Sequence, residues 1–117
     1  MKYKIDNIKN YSKTRSWIFG HFFPKDSLLH SDKLEVKYHH IKPGYSTKEH
    51  YHPNGKQIEI IVKGKIKISL DGKEQILKEG DFLVTKNNIK ERVIKVFKPT
   101  VLIGLRMPSK PNNKVNI

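Results

Sequence analysis

Apolar and polar residues alternate with a period of two through most of the chain between residues 16 and 107. Successive side chains of a β-strand point to opposite faces, so this pattern predicts strands that each bury one face. Apolar residues nowhere keep the 3.6-residue spacing of an amphipathic helix. Glycine-containing turns separate the alternating segments. The sequence therefore predicts an all-β sandwich or barrel of short strands.

The turn positions divide this region into eight expected strands, at residues 16–23, 34–41, 58–63, 65–70, 73–77, 82–85, 92–97 and 100–107. Gly44 and Gly64 are interpreted as tight turns between strands, and Asp71-Gly72 as a hairpin turn that requires positive φ. Residues 108–117 are rich in Pro, Asn and Lys, so we expect a tail that lies on the surface or frays.

Two adjacent histidines, His39 and His40, fall within the second expected strand and must face opposite ways. The alternation groups His40 with Val36 and Tyr38. His40 is therefore expected either to enter the interior or to pack at its rim.

A length of 117 residues suits one domain, and we expect residues 1–117 to form it. The formal net charge is +13, from 24 Lys and Arg against 11 Asp and Glu. The lysines are scattered, and arginine, the usual residue for reading bases and phosphates, occurs only at Arg15, Arg92 and Arg106. We therefore expect a solvated lysine-rich surface or an anionic small-molecule substrate rather than a nucleic-acid partner.

Cysteine is absent, which excludes a disulfide framework and a thiolate metal site. No apolar run is long enough to span a bilayer or to serve as a signal peptide. These features favour a cytoplasmic protein without a membrane partner.

One short segment concentrates coordinating side chains: His50 and His52 stand at i and i+2 and share a face if the segment is a strand. Counting along the chain, Gly44 is followed by five residues, His50-x-His52, four residues, Gln57, six residues and Gly64. This spacing resembles the first motif of the cupin family, in which a Glu stands at the position of Gln57.

The second cupin motif is retained more loosely. Gly80 is in place, whereas Lys86, Asn88 and Glu91 stand at the positions of the family's Pro, Gly and His. The resemblance implies a cupin-type jelly-roll β-barrel, also called a double-stranded β-helix, over about residues 34–107. Some compact cupins of this outline accompany enzymes of sugar-nucleotide or surface-polysaccharide synthesis.

By position, the resemblance implies a metal site at His50, His52, Gln57 and Glu91. Imidazole nitrogens and side-chain oxygens suit a divalent transition metal such as Zn, Mn, Fe or Ni. The alternative is a degraded site, in which the two histidines only hydrogen-bond to their neighbours.

Glu59 lies two residues beyond Gln57 and should face the same interior. A carboxylate inside a barrel is costly unless it is paired, ligating or catalytic. Glu59 is therefore a candidate general base or substitute ligand, with an ion pair to Arg106 as the alternative.

The opposite face of this strand carries Ile58, Ile60 and Val62, which need a cover. The N-terminal residues 3–8 or a second copy of the chain could supply it, and we favour a homodimer.

The leading hypothesis is a metal-binding cupin that moves a proton in an isomerisation, epimerisation or elimination of a small polar substrate, with a carbohydrate or sugar nucleotide as first candidate. The alternatives are a metal-free module that binds a sugar or small acid, and a basic protein associated with nucleic acid.

Overall fold

The computed structural model describes residues 2–14 and 16–117, which form almost exclusively β-structure. A 3₁₀ helix at Ile8–Thr14 precedes eight strands: β1 Trp17–Phe19, β2 Glu35–Ile41, β3 His50–Tyr51, β4 Lys56–Leu70, β5 Lys73–Lys78, β6 Phe82–Thr85, β7 Glu91–Met107 and β8 Val115–Asn116. They join in one curled sheet, and all of its pairings in the described ranges are antiparallel. The all-β prediction is therefore confirmed. No helix in these ranges is both long and apolar enough to cross a membrane.

The two long strands β4 and β7 pair with each other from Lys56 opposite Met107 to Leu70 opposite Glu91. The sequence predicted each of them as two separate strands, and this prediction was wrong. Both strands instead continue through a region of shifted register around Gly64. Shifted register bends a strand without ending it.

The bend depends on a close approach between Gly64 and Thr100. Gly64 has a φ of 108°, and a Cβ added to it would lie 2.2 Å from Thr100 Oγ1. The buried Thr100 hydroxyl accepts a hydrogen bond from Lys65 N at 3.1 Å and donates one to Lys98 O at 2.9 Å. Gly64 is therefore a contact point inside a strand and not the predicted turn.

The first strand is shorter than predicted because the chain turns at Gly20. This residue has a φ of 142°, and its N–H donates to Leu29 O at 2.9 Å. Strand β1 consequently ends at Phe19. The Asp71-Gly72 hairpin is confirmed, since both residues have positive φ and join β4 to β5.

The register of β2, β7 and β4 arranges the inward side chains of the barrel in three rows, which we call the first, middle and third rows. These are Glu35–Arg106–Gln57, Lys37–Gly104–Glu59 and His39–Leu102–Ile61. The grouping of His40 with the interior was wrong: His39 lines the cavity and His40 is exposed. His39 pairs with the buried Leu102 of β7, and this register determines which side chains of β2 face the interior.

From the third row onward the barrel is filled by aliphatic side chains. The core consists of Ile41, Ile61, Ile66, Ile68, Val96 and Leu102. The polar first and middle rows are therefore confined to the other half of the barrel, where they line a cavity.

The last ten residues follow a defined course across the cavity end of the barrel. Strand β8 pairs with β3, and Ile117 N donates to Glu49 O at 3.0 Å. Ser109 and Asn113 are buried.

We expect Gly64→Ala to lower the free energy of unfolding by about 3 kcal/mol or more, since the added methyl group combines a positive φ with overlap against Thr100. Gly44→Ala is the matched control, with a φ of 98° but nothing within 4 Å of the added Cβ, and should cost about 1 kcal/mol. Urea unfolding of both variants tests this. Equal losses would contradict the close-approach explanation.

Candidate metal centre

A cavity of about 270 Å³ opens at the polar end of the barrel. Strand β3 and the residue after it supply His50 and His52, β4 supplies Gln57 and Glu59, and β7 supplies Glu91 from its first residue. His50 is directly opposite Glu91 in the β3–β7 pairing. The cavity also has an aliphatic wall, formed by Ile41, Ile61, Ile66, Ile68, Leu70, Leu77, Leu83, Val93 and Leu102.

Three of the four residues predicted as metal ligands come together here. The Nε2 atoms of His50 and of His52 each lie 3.3 Å from Glu91 Oε1. One potential ligand atom from each of the three residues lies within 4.8 Å of the others. All three side chains are at most 15% exposed. The spacing suits one ion held by two nitrogens and one oxygen.

Backbone carbonyls fix the tautomers of both histidines. His50 Nδ1 lies 2.8 Å from Lys48 O, and His52 Nδ1 lies 2.5 Å from Asn113 O. A carbonyl oxygen only accepts, so each Nδ1 carries the proton and each neutral ring has a bare Nε2. The lone pairs of both Nε2 atoms and of Glu91 Oε1 therefore converge, which is unfavourable unless a proton or a metal ion lies among them. The residues present thus fit a metal ion.

The Glu91 carboxyl keeps its negative charge in this cluster. Burial by itself would raise its pKa, but when protons lie between the two Nε2 atoms and Glu91, the contacts with His50 and His52 outweigh burial and lower the pKa to about 2. Glu91 is therefore an anionic oxygen donor at neutral pH.

Gln57 contacts the cluster through its amide group. Its Nε2 donates to Glu91 Oε2, and its Oε1 accepts from Arg106 Nη2 at 3.2 Å. In this arrangement the amide oxygen, the atom expected to bind metal, faces Arg106. Metal ligation by Gln57 therefore stays a prediction. What Gln57 does in this structure is position the Glu91 carboxylate, which contacts both histidines.

Glu59 lies in the middle row and lines the cavity. Burial, followed by the negative charge of Glu91, raises the pKa of Glu59 to about 7. The alternative ion pair with Arg106 is absent from the part of the chain that the structure describes, because Arg106 Nη1 instead pairs with Glu35 Oε2 at 3.2 Å. A carboxyl group that titrates near neutrality can both accept and donate a proton, so a catalytic role for Glu59 stays a prediction.

Sequence reasoning missed two supports of the site. Glu35 is only 2% exposed and holds Arg106 beneath the cavity, and Arg106 Nη2 lies 3.1 Å from His52 Nε2. Asn113, in the C-terminal tail, holds His52 from the other side. The one available signal was Glu35 itself, an acidic residue in phase with Lys37 and His39 on a strand whose other face is apolar.

Glu59 makes the stability of the fold depend on pH. The folded protein favours the neutral carboxyl, so this stabilisation is complete below the ordinary pKa of 4.5 and is lost as the pH rises through about 7. The loss amounts to as much as about 3 kcal/mol. We expect Glu59→Gln to remove this part of the pH dependence, measured by urea unfolding between pH 5 and pH 8.

The exposed Glu74 provides the control, because Glu74→Gln should leave the pH dependence unchanged. Parallel stability curves for wild type and Glu59→Gln would contradict the raised pKa.

Comparison with known proteins identifies the fold. A protein-family model described as "Cupin domain" matches residues 37–102. No curated protein matches the sequence. A conserved protein with a double-stranded β-helix domain from Klebsiella pneumoniae is 18% identical, with a TM-score of 0.69 over 98% of this chain and 97% of that one.

KdgF from Halomonas sp. is 22% identical, with a TM-score of 0.64 over 71% of this chain and 76% of that one. DMSP lyase DddQ from Ruegeria pomeroyi is 18% identical, with a TM-score of 0.67 over 80% of this chain but only 47% of the lyase. These likenesses establish the double-stranded β-helix fold that the sequence predicted. Because the cupin family model matches more than half of this chain, the chain belongs to the cupin family.

Proposed function

We propose that this protein is a metal-dependent cupin enzyme that moves a proton on a small polar substrate. One observation carries the proposal: backbone carbonyls fix both histidines as tautomers whose bare Nε2 atoms face Glu91 Oε1, each at 3.3 Å. Metal-binding histidines commonly donate their other ring N–H in this way.

His50, His52 and Glu91 would hold the metal, and Gln57 would orient Glu91 or add a fourth ligand. When bound, a divalent ion would polarise a carbonyl or hydroxyl group of the substrate. Two imidazoles and one carboxylate also occur in non-haem iron oxygenases, so the donor set by itself leaves the reaction class open.

Glu59 favours proton transfer over oxygen chemistry. Its carboxyl titrates near neutrality, which is the condition under which one side chain can take a proton from a carbon or oxygen and return it. Isomerisation, epimerisation and elimination all need such a group.

The cavity limits the size of the substrate. A volume of about 270 Å³ lies just below the usual range for ligand pockets, roughly 300–1,000 Å³. One sugar ring or one small acid fits this space, whereas a sugar nucleotide would have to leave its nucleotide outside. Trp17 and Tyr45 contribute aromatic walls with polar tips, which suit a carbohydrate.

We expect protein purified without chelator to contain about one transition-metal ion per chain, and the double variant His50→Ala, His52→Ala to contain none. Elemental analysis by mass spectrometry measures both. His40→Ala is the matched control, because His40 is exposed and outside the cavity. Glu59→Gln should keep its metal, since Glu59 acts on the substrate.

Metal-free wild-type protein, folded and able to bind its ligand in EDTA, would overturn the enzymatic proposal. That result would support the alternative of a non-catalytic binding module.

We further propose that the protein is a homodimer that buries the outer face of β4 and β6. Four apolar side chains on this face are 36–67% exposed: Ile60, Val62, Phe82 and Val84. The N-terminal segment does not provide the cover, because Tyr3 is 74% exposed and Ile5 is 89% exposed. Apolar patches shared by neighbouring strands commonly mark contacts between proteins.

Val84→Lys should convert the dimer to a monomer with little loss of stability, since it places a charge in the interface but not in the core. Ile76→Lys provides the control, because Ile76 is similarly exposed, at 52%, but lies on β5. Light scattering coupled to size-exclusion chromatography gives the mass of each. A wild-type monomer at micromolar concentration would refute the dimer.

A further inference from the structure

Residues 2–5, which we call the arm, are exposed along their whole length. Tyr3 is 74% exposed and Ile5 is 89% exposed. No backbone hydrogen bond joins the arm to any residue in the ranges 2–14 and 16–117. The two apolar side chains alternate with Lys2 and Lys4, which is the pattern of a strand with one apolar face. The arm is therefore an amphipathic segment without a sheet to pair with.

The base of the arm is fixed to the rest of the chain. Asp6 accepts hydrogen bonds from Asn7 N and Asn10 Nδ2, each at 2.7 Å, and from the Tyr11 hydroxyl. Asp6 thereby caps the 3₁₀ helix, which contacts β1. The Tyr11 ring packs edge-on against Phe23, with 6.0 Å between the ring centres. Only the four residues before Asp6 are left to reach another surface.

Strand β6 has an open edge. Within residues 2–14 and 16–117 it pairs with β4 only. Ile61 N donates to Asp81 O at 2.9 Å. Residues of an antiparallel strand alternate between bonding to the neighbouring strand and pointing away from it, so the N–H and C=O groups of Phe82 and Val84 point towards the open edge. The side chains of these two residues lie on the outer face of the sheet, 67% and 56% exposed.

The β6 edge is better suited than the β5 edge to accept a further strand. In the described part of the chain β5 also pairs with β4 only, but it carries Lys73, Glu74 and Lys78. Charged side chains on an edge strand oppose the addition of another strand. The sequence of β6 is Phe-Leu-Val-Thr, which contains no charge.

The apolar side chains of the arm match those of β6 in spacing. Tyr3 and Ile5 are two residues apart, as are Phe82 and Val84. An added strand places its side chains beside those of the strand with which it pairs. Pairing in either direction therefore brings the two apolar pairs together on the outer face of the sheet.

The arm also supplies surface that the proposed dimer needs. Exposed apolar patches on a single chain measure roughly 300–600 Å² at most. A stable interface buries about 800 Å² on each partner. The outer face of β4 and β6 is therefore too small by itself, and an arm from each copy makes up the difference. The arm is uncovered in its own chain, which makes a second copy the occupant of this face.

We propose that two copies of the chain exchange their arms, so that residues 2–5 of each copy add a strand to the β6 edge of the other. This proposal rests on the proposed homodimer and identifies what completes its interface. Tyr3 and Ile5 of one copy pack beside Phe82 and Val84 of the other. Leu83, between those two residues, lines the cavity, so each arm supports the cavity wall of the other copy.

Engineered cysteines locate the arm, because the natural chain contains none. A chain with Ile5→Cys is mixed in urea with a chain that carries one cysteine on β6, and the mixture is refolded and oxidised. We expect a disulfide between the two different chains, since cross-strand neighbours lie within disulfide reach. The link forms to Val84→Cys if the arm runs parallel to β6 and to Phe82→Cys if it runs antiparallel. Mass spectrometry of the linked peptides identifies the pair.

A chain with Ile76→Cys on β5 is the control for this cross-link, because Ile76 is 52% exposed but lies on the other edge strand. It should give no link to Ile5→Cys. Absence of a link to both β6 positions overturns the exchange. A disulfide that closes within one chain carrying both cysteines also overturns it, since the arm would then cover its own copy.

Two double variants test the apolar contact. Tyr3→Ser with Ile5→Ser should raise the dissociation constant of the dimer at least about 100-fold, because both arms lose their buried side chains. Lys2→Ser with Lys4→Ser is the matched control and should leave the constant almost unchanged, since these side chains lie on the other face of the arm. Analytical ultracentrifugation measures both. Equal constants for the two double variants would contradict the proposal.

These outcomes separate arm exchange from the proposed function. A wild-type dimer without a link between the arm and β6 refutes the exchange alone. A wild-type monomer refutes the exchange together with the dimer. Metal-free wild-type protein that still gives the link between chains supports the exchange and refutes the metal-dependent reaction alone.

Discussion

The bend shared by β4 and β7 at Gly64 and Thr100 is the constraint on which the candidate site depends. Strand β7 has seventeen residues, and in extended form Glu91 and Arg106 would be roughly 50 Å apart. In the folded chain both contact Gln57, one accepting from its amide nitrogen and the other donating to its amide oxygen. The curled strand thus places an anion from one end beside a cation from the other. Because Gly64 has no side chain, the two strands can approach as closely as this bend requires.

Strands β4 and β7 each contribute to both halves of the barrel, the aliphatic half that stabilises the fold and the polar half that forms the candidate site. Beyond the third row, β4 and β7 alternate buried Ile66, Ile68 and Val96 with exposed lysines and Phe97, and these aliphatic side chains form the core. In the first row, the inward side chains Gln57 and Arg106 of the same strands bond to each other, and they also bond to Glu91 and Glu35. In the middle row, Glu59 faces Gly104. Buried polar groups are costly unless satisfied, so the aliphatic half must offset Glu59 Oε2 and Arg106 Nε, which are buried without a hydrogen-bond partner in the described part of the chain.

The sequence pattern predicted those features of the fold that residues close to one another in the sequence determine. The alternation located β1, β2, β5, β6 and the segments that make up β4 and β7, although it did not find β3 or β8. It also predicted the Asp71-Gly72 hairpin and the facing of Gln57 and Glu59, and the spacing around His50 and His52 identified the family. The wrong predictions concern features that depend on contacts between residues far apart in the sequence. Val36, Tyr38 and His40 look as suited to an interior as Lys37 and His39, and only the register with β7 places the polar set inside. Asn113 and His52 are 61 residues apart, and no periodicity signals such a contact. Gly64 and Gly20 both have positive φ, yet one bends a strand and the other ends one.

The carbonyl of Asn113 gives the C-terminal tail a thermodynamic connection to the metal centre. His52 needs the proton on Nδ1 to keep Nε2 bare, and Asn113 O stabilises that tautomer only while β8 is paired with β3. Two processes that favour the same arrangement strengthen each other equally. An ion bound at Nε2 would therefore make the opening of the tail less favourable, and detachment of the tail would weaken ion binding by the same free energy. The last strand of the sheet is in this sense part of the coordination chemistry, although it contributes no ligand.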